Sequence, residues 1–81
     1  MTRTNFDEIK IGDTLVYRDL FYGQYEWYYY VVLDIVDNYT VAGKPAKHLL
    51  TEMIWSASPH ASIGLSGGLY EHQWTERWER Q

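Results

Sequence analysis

The segment Glu26–Asp37 reads EWYYYVVLDIVD. Its density of aromatic and β-branched residues fits a pleated strand better than a helix. At period two, Trp27, Tyr29, Val31, Leu33 and Ile35 fall on one face, and Glu26, Tyr28, Tyr30, Val32, Asp34 and Val36 on the other. The first set contains no charged residue and predicts the core face. The second mixes two tyrosines with two carboxylates, which a buried face tolerates only when each polar group finds a partner. It is therefore the expected outer face, with Tyr28 and Tyr30 as its leading binding groups.

Around this strand the pattern predicts a small, mainly β domain spanning residues 1–81. Phe6 and Ile9 are expected to plug one end of the core. Lys10-Ile11-Gly12-Asp13 reads as a turn into a short strand at 14–18, and residues 19–25 as a loop carrying Phe21, Tyr22 and Tyr25. Asp37-Asn38 is the expected hairpin turn, because both residues tolerate the left-handed region, with 39–42 as the return strand. Ala46–Trp55 fits a short helix, with Leu50, Met53, Ile54 and Ala57 at helical spacing, or a strand ending in Met53-Ile54-Trp55. Residues 56–68, with Pro59 and three glycines, read as a long loop. In the tail, Tyr70, Trp74 and Trp78 lie four apart, a spacing that suits one face of a helix or of a strand. The expectation is a closing strand over 69–75, with the last residues frayed or helical.

Composition sharpens the picture in two places. Four Trp and eight Tyr in 81 residues are more than a small core needs, so some rings are expected at the surface or at a subunit interface. The net charge is −4, and from Asp19 to Gly43 there are four acids and no Lys or Arg. A phosphate-tracking groove needs the reverse balance, so the acidic surface suits a basic protein partner or a plain solvated face that aids solubility, rather than nucleic acid. The chain has no cysteine, hence no disulfide and no thiolate chemistry. Met1–Asn5 lead into Phe6-Asp7-Glu8-Ile9 without an apolar run, and no segment approaches a membrane span. A cytoplasmic location is expected, and Asn38-Tyr39-Thr40 is read as a turn rather than a glycosylation site.

The opening IKIGDTLVYRD, Ile9–Asp19, resembles the first strand of SH3-like small barrels, where a Lys-x-Gly-Asp turn introduces a strand of alternating apolar residues. The resemblance covers about half the chain and implies an SH3-like or partly open antiparallel barrel, with room for one short helix; an α+β arrangement is the alternative. In size, acidity, lack of cysteine and aromatic excess, the chain is also similar in style to small phage proteins that bind and inhibit host proteins.

Catalytic signatures are weak. His48, His60 and His72 fall twelve apart, without the close His spacings of a metal site. Glu26 and Asp34 share a strand face but stand about 26 Å apart at strand rise, too far to flank one bond. The serines near His60 form no nucleophile elbow, and Gly64-Leu65-Ser66-Gly67-Gly68 lacks the Lys-Ser/Thr of a phosphate loop. No cofactor, metal or enzymatic activity is expected. What remains is aromatic: Tyr22, Tyr25, Tyr28 and Tyr30, with Trp74 and Trp78 adding to the same patch or to the core, and Glu26 and Asp34 steering the encounter. The expected function is a non-catalytic protein-binding module, plausible as a phage-type inhibitor. One alternative is a nucleic-acid-binding barrel, if Arg18, Lys44, Lys47, Arg77 and Arg80 converge on the tyrosines. Another is self-assembly as a homodimer, and the plain structural reading is that these rings cover the barrel's open end.

Overall fold

The computed structural model describes residues 4–21, 23–57 and 63–81. A 3-10 turn at Phe6–Glu8 precedes strands β1 (Thr14–Phe21), β2 (Gln24–Val41), β3 (Lys44–Ser56) and β4 (Ser66–Tyr70). A second 3-10 turn at Glu71–Gln73 leads into the short β5 (Trp78–Arg80). The strands pair antiparallel in one open sheet, in the order β4-β3-β2-β1-β5. The chain is mainly β, and among the described residues its only helical elements are the two 3-10 turns. Among the described residues, no helix is long and apolar enough to cross a membrane.

The entry forms as the sequence predicts. Gly12 takes φ +92°, a conformation that glycine adopts without steric cost. Asp13 Oδ2 accepts the Lys10 backbone N–H at 2.8 Å, which fixes the turn. Phe6 and Ile9 are buried and join Leu15, Val32, Leu49 and Leu69 in one cluster.

The hairpins differ from expectation. β1 extends to Phe21, and Phe21 pairs with Gln24, so most of the predicted loop at 19–25 is strand instead. β2 runs past Asp37-Asn38 to Val41 and turns at Ala42-Gly43 instead, where φ is +52° and +78°. Two successive left-handed residues match the twist of the flanking strands, which is why two-residue hairpins favour them. Asp37-Asn38 is absorbed as a register shift: β2 advances three residues from Val36 to Tyr39 while β3 advances two, from His48 to Ala46.

Two further shifts shape the sheet. Leu33 is an extra residue on β2 between the pairs Val32–Thr51 and Asp34–Leu50, and Ile54 is extra on β3 between Tyr29–Trp55 and Tyr30–Met53. An 18-residue strand would run roughly 55–60 Å if straight, yet the longest extent of the molecule is 39 Å. Bulges bend a strand and increase its twist, and they let the long hairpin curl over the core.

The bulge at Leu33 also corrects the face assignment of β2. Val32 is 1% exposed and belongs to the core, whereas Leu33 is 46% exposed. Trp27, Tyr29 and Val31 therefore lie on the outer side, and Tyr28, Tyr30 and Val32 on the core side. Past the extra residue the alternation inverts, so Ile35, three positions after Val32, again packs on the core opposite Leu49. A one-residue slip exchanges the two faces of a strand.

The later segments resolve in favour of strand. Residues 44–56 form β3, and the predicted long loop gives way to β4 at Ser66. The predicted closing strand at 69–75 is displaced: Leu69 and Tyr70 end β4, a 3-10 turn follows, and closure falls to Trp78–Arg80. Of the expected loop, residues 58–62, including His60, lie outside the described residues.

Candidate functional site

The sheet sorts its aromatic side chains into two groups. On the core side a chain of rings closes one end of the molecule. Phe6 meets Trp74 edge-on at 6.5 Å, Trp74 stacks on Trp78 at 6.1 Å, and Trp78 contacts Tyr30 at 5.3 Å and Tyr17 at 4.8 Å. Tyr17 in turn lies 6.1 Å from Tyr28. Trp74 donates its indole N–H to the Thr4 carbonyl at 2.9 Å, satisfying the polar end of a half-buried ring. Trp74, Trp78 and Tyr30 pack directly against the core cluster.

Burial pushes the Tyr30 hydroxyl above the ordinary tyrosine range, and the neighbouring Tyr17 adds to the shift. A raised pKa in the folded state means that the unfolded chain releases this proton first as pH rises. The contribution is fully present below about pH 10 and is lost above it. Stability measured by urea unfolding is expected to fall between pH 9 and 11, and Tyr30→Phe is expected to make that fall shallower. An equal fall in both proteins would remove Tyr30 as its source.

On the outer side, Tyr25, Trp27 and Tyr29 alternate along β2 in unbroken register with β1. Trp55 on β3 meets Tyr29 edge-on at 5.2 Å. Arg18 on β1, the cross-strand neighbour of Trp27, sets its guanidinium 5.8 Å from that ring's centroid while donating to the Glu76 carbonyl at 3.1 Å. Tyr25 is 67%, Trp55 51% and Trp27 38% exposed. Further along, Leu33 and Leu50 are also exposed. A single exposed apolar side chain is ordinary, whereas several along one face form a patch of the kind used for recognition.

The predicted binding residues are thereby divided. Tyr25 is exposed on the outer side. Glu26 and Tyr28 lie half-buried on the core side, where the Tyr28 hydroxyl donates to Glu26 Oε2 at 2.8 Å. Asp34 is exposed beside the Leu33 bulge and accepts the Ile35 backbone N–H at 2.8 Å. Tyr30, Trp74 and Trp78 serve the core, and Tyr22 lies outside the described residues. The expected single patch of Tyr25, Tyr28 and Tyr30 does not form, because Tyr25 faces away from the other two. Trp27, assigned to the core face, and Trp55 were missed as exposed rings; the excess of rings over core volume was their signal.

The cations are spread around the molecule. Lys47 sits 3.8 Å from Asp7 and over the Phe6 ring, Arg80 3.8 Å from Asp13, and Arg77 3.1 Å from Asp19. Of the five cations proposed for phosphate contact, Arg18 and Arg77 line a recess with Tyr25 while Lys47 and Arg80 lie by Asp7 and Asp13, so the five do not converge. His48 and His72 flank the Tyr70 ring at 5.0 and 6.0 Å. Among the described residues no group of His, Asp and Glu is placed to hold a metal ion. Comparison of the chain with protein-family models, with curated proteins and with solved structures finds no match.

Proposed function

We propose that the protein is a non-catalytic protein-binding module whose partner docks on the outer face of the sheet, over Tyr25, Trp27, Tyr29 and Trp55. The observation that carries this reading is the division of the rings. The core is filled by its own set, and a second aromatic set remains on the solvent side of the same sheet. Large, rotamer-poor aromatic side chains beside an Arg are the residues that dominate interface hot spots. Arg18, Asp34 and the half-buried Glu52 give this face mixed charge, while the net charge of −4 would speed the approach of a basic partner at low salt. An inhibitor that occludes a host protein's surface, as the stylistic likeness to phage proteins implies, needs no more than such a face. The strand order, with a 3-10 turn ahead of a short last strand that returns to β1, supports an SH3-like frame for it.

The test is affinity capture from bacterial lysate with and without nuclease treatment, with wild type beside the double variant Tyr25→Ser, Trp55→Ser. Both residues are at least half exposed, so the variant is expected to stay folded. A partner retained by wild type and lost by the folded variant supports the reading. Equal capture by both proteins places the interface elsewhere, and capture that vanishes with nuclease favours nucleic acid.

A further inference from the structure

β4 is an edge strand, and the direction of its backbone groups follows from its register. Met53 N–H donates to the Leu65 carbonyl at 3.1 Å, and the pairs His48–Tyr70 to Glu52–Ser66 continue that register without a shift. In an antiparallel ladder, bonded and non-bonded pairs alternate. Gly67 and Leu69 therefore turn their N–H and C=O groups toward β3, while Ser66, Gly68 and Tyr70 turn theirs away from it. Tyr70 confirms the direction, because its outward N–H is met by Gln73 Oε1 at 2.9 Å. That leaves the backbone groups of Ser66 and Gly68 facing outward along the edge.

Edge strands in stable proteins are commonly guarded by a lysine, a proline, a bulge or an inward charge. Ser66–Tyr70 reads SGGLY and carries none of these itself; a bulge sits just ahead of it, where Gly64, at φ +89°, donates to the Met53 carbonyl and the Leu65 carbonyl accepts from the Met53 N–H. Two adjacent glycines weaken a strand, and where they persist they mark a bulge, a tight bend or the close approach of another backbone or ligand. Here the register is continuous, and neither Gly67 nor Gly68 has a positive φ. A Cβ built on Gly67 would meet nothing within 4 Å.

The space that Gly67 leaves open belongs to a pocket of about 430 Å³, bounded by Tyr17, Tyr30, Met53, Leu65 and Trp78, with Gln73 and Thr75 also in its lining. Its size lies within the roughly 300–1,000 Å³ usual for ligand sites. None of the described residues lining it is charged, although 22% of the chain is. The gap thus offers a row of main-chain donors and acceptors on one wall and an uncharged aromatic recess behind it.

We propose that this edge and pocket together bind an extended peptide, which adds to β4 as a further strand and places one uncharged apolar side chain against Tyr30, Met53 and Trp78. Strand addition draws affinity from the main chain and specificity from pockets that take alternate side chains. The bulky apolar residue is set by the lining and the extended conformation by the edge. A second copy of the chain fits poorly, because its own β4 offers on the core side only Gly67 and the already buried Leu69. The site lies on the opposite side of the sheet from the outer aromatic face, so the two surfaces stand or fall separately.

The probe is a phage-displayed library of random twelve-residue peptides, selected on the full-length protein, with enriched sequences then synthesised. The selected peptides are expected to share a period-two pattern with one bulky apolar position. Their addition is expected to slow hydrogen exchange at the Gly68 amide at least tenfold. Gly67→Leu fills the recess from a position with open space, so it is expected to keep the fold and weaken binding at least tenfold, whereas Tyr25→Ser, Trp55→Ser leaves it unchanged. The proposal is overturned if no peptide is enriched, if enriched peptides bind Gly67→Leu as well as wild type, or if Gly68 gains protection only through concentration-dependent self-association.

Discussion

Val32→Asp is expected to leave the protein largely unfolded in buffer, while Leu33→Asp, one residue on, leaves it folded. Val32 is 1% exposed and sits among Leu15, Leu49 and Leu69. Its replacement forfeits about 1.5–3 kcal/mol of apolar burial and adds several kcal/mol for an unpaired charge taken out of water. A domain of 81 residues has roughly 4–12 kcal/mol in total, so the loss consumes most or all of it. Leu33 is 46% exposed at its bulge, and a surface change of this kind usually stays within about 0.5 kcal/mol. Far-UV circular dichroism and urea midpoints of the two variants separate the cases. A folded Val32→Asp beside an unfolded Leu33→Asp would restore the face assignment that simple alternation predicts.

That contrast also explains what was legible in the sequence. The β class was, because runs such as YYYVVLDIV have no good helical reading and Gly12-Asp13 announces a strand. The plugs Phe6 and Ile9 were legible for the same local reason. The faces of β2 were not: Trp27 to Leu33 is an unbroken apolar and aromatic run, so both faces qualify as core and only tertiary packing chooses between them. The two carboxylates then tipped the reading the wrong way. Glu26 lies on the core side but is satisfied by the Tyr28 hydroxyl, and Asp34 escapes the core through the extra residue before it. Turn chemistry misled in a similar fashion, since Asp37-Asn38 tolerates a bulge as well as a turn, and Ala42-Gly43 is the weaker signal of the two. The candidate site inherited the face error. Its residue types were legible as an aromatic surplus, and its location was not.

The second large effect is expected at Trp78. β5 contributes three residues to the sheet, and Glu79 and Arg80 are exposed, so Trp78 supplies the strand's apolar anchor. Its ring touches Tyr17, Tyr30 and Trp74, and truncating a buried Trp or Phe to alanine typically costs about 3–5 kcal/mol. Trp78 is only half-buried, which argues for the lower end, about 3 kcal/mol. The cost should not be spread evenly. The Arg18 N–H donates to the Arg77 carbonyl and the Gln81 N–H to the Thr14 carbonyl, so both amides should exchange faster once β5 loosens. The Val32 N–H, which donates to the Asp13 carbonyl, should keep more of its protection, because the β1–β2 pairing does not depend on β5. Trp78→Phe should recover part of the loss by restoring a ring to the stack. A cost below about 1 kcal/mol, with Arg18 protection unchanged, would mean that the ring stack does not hold the strand. Set beside Tyr25→Ser, for which a loss near zero is expected at a 67% exposed position, the experiment separates the rings that the fold consumes from those left free for a partner.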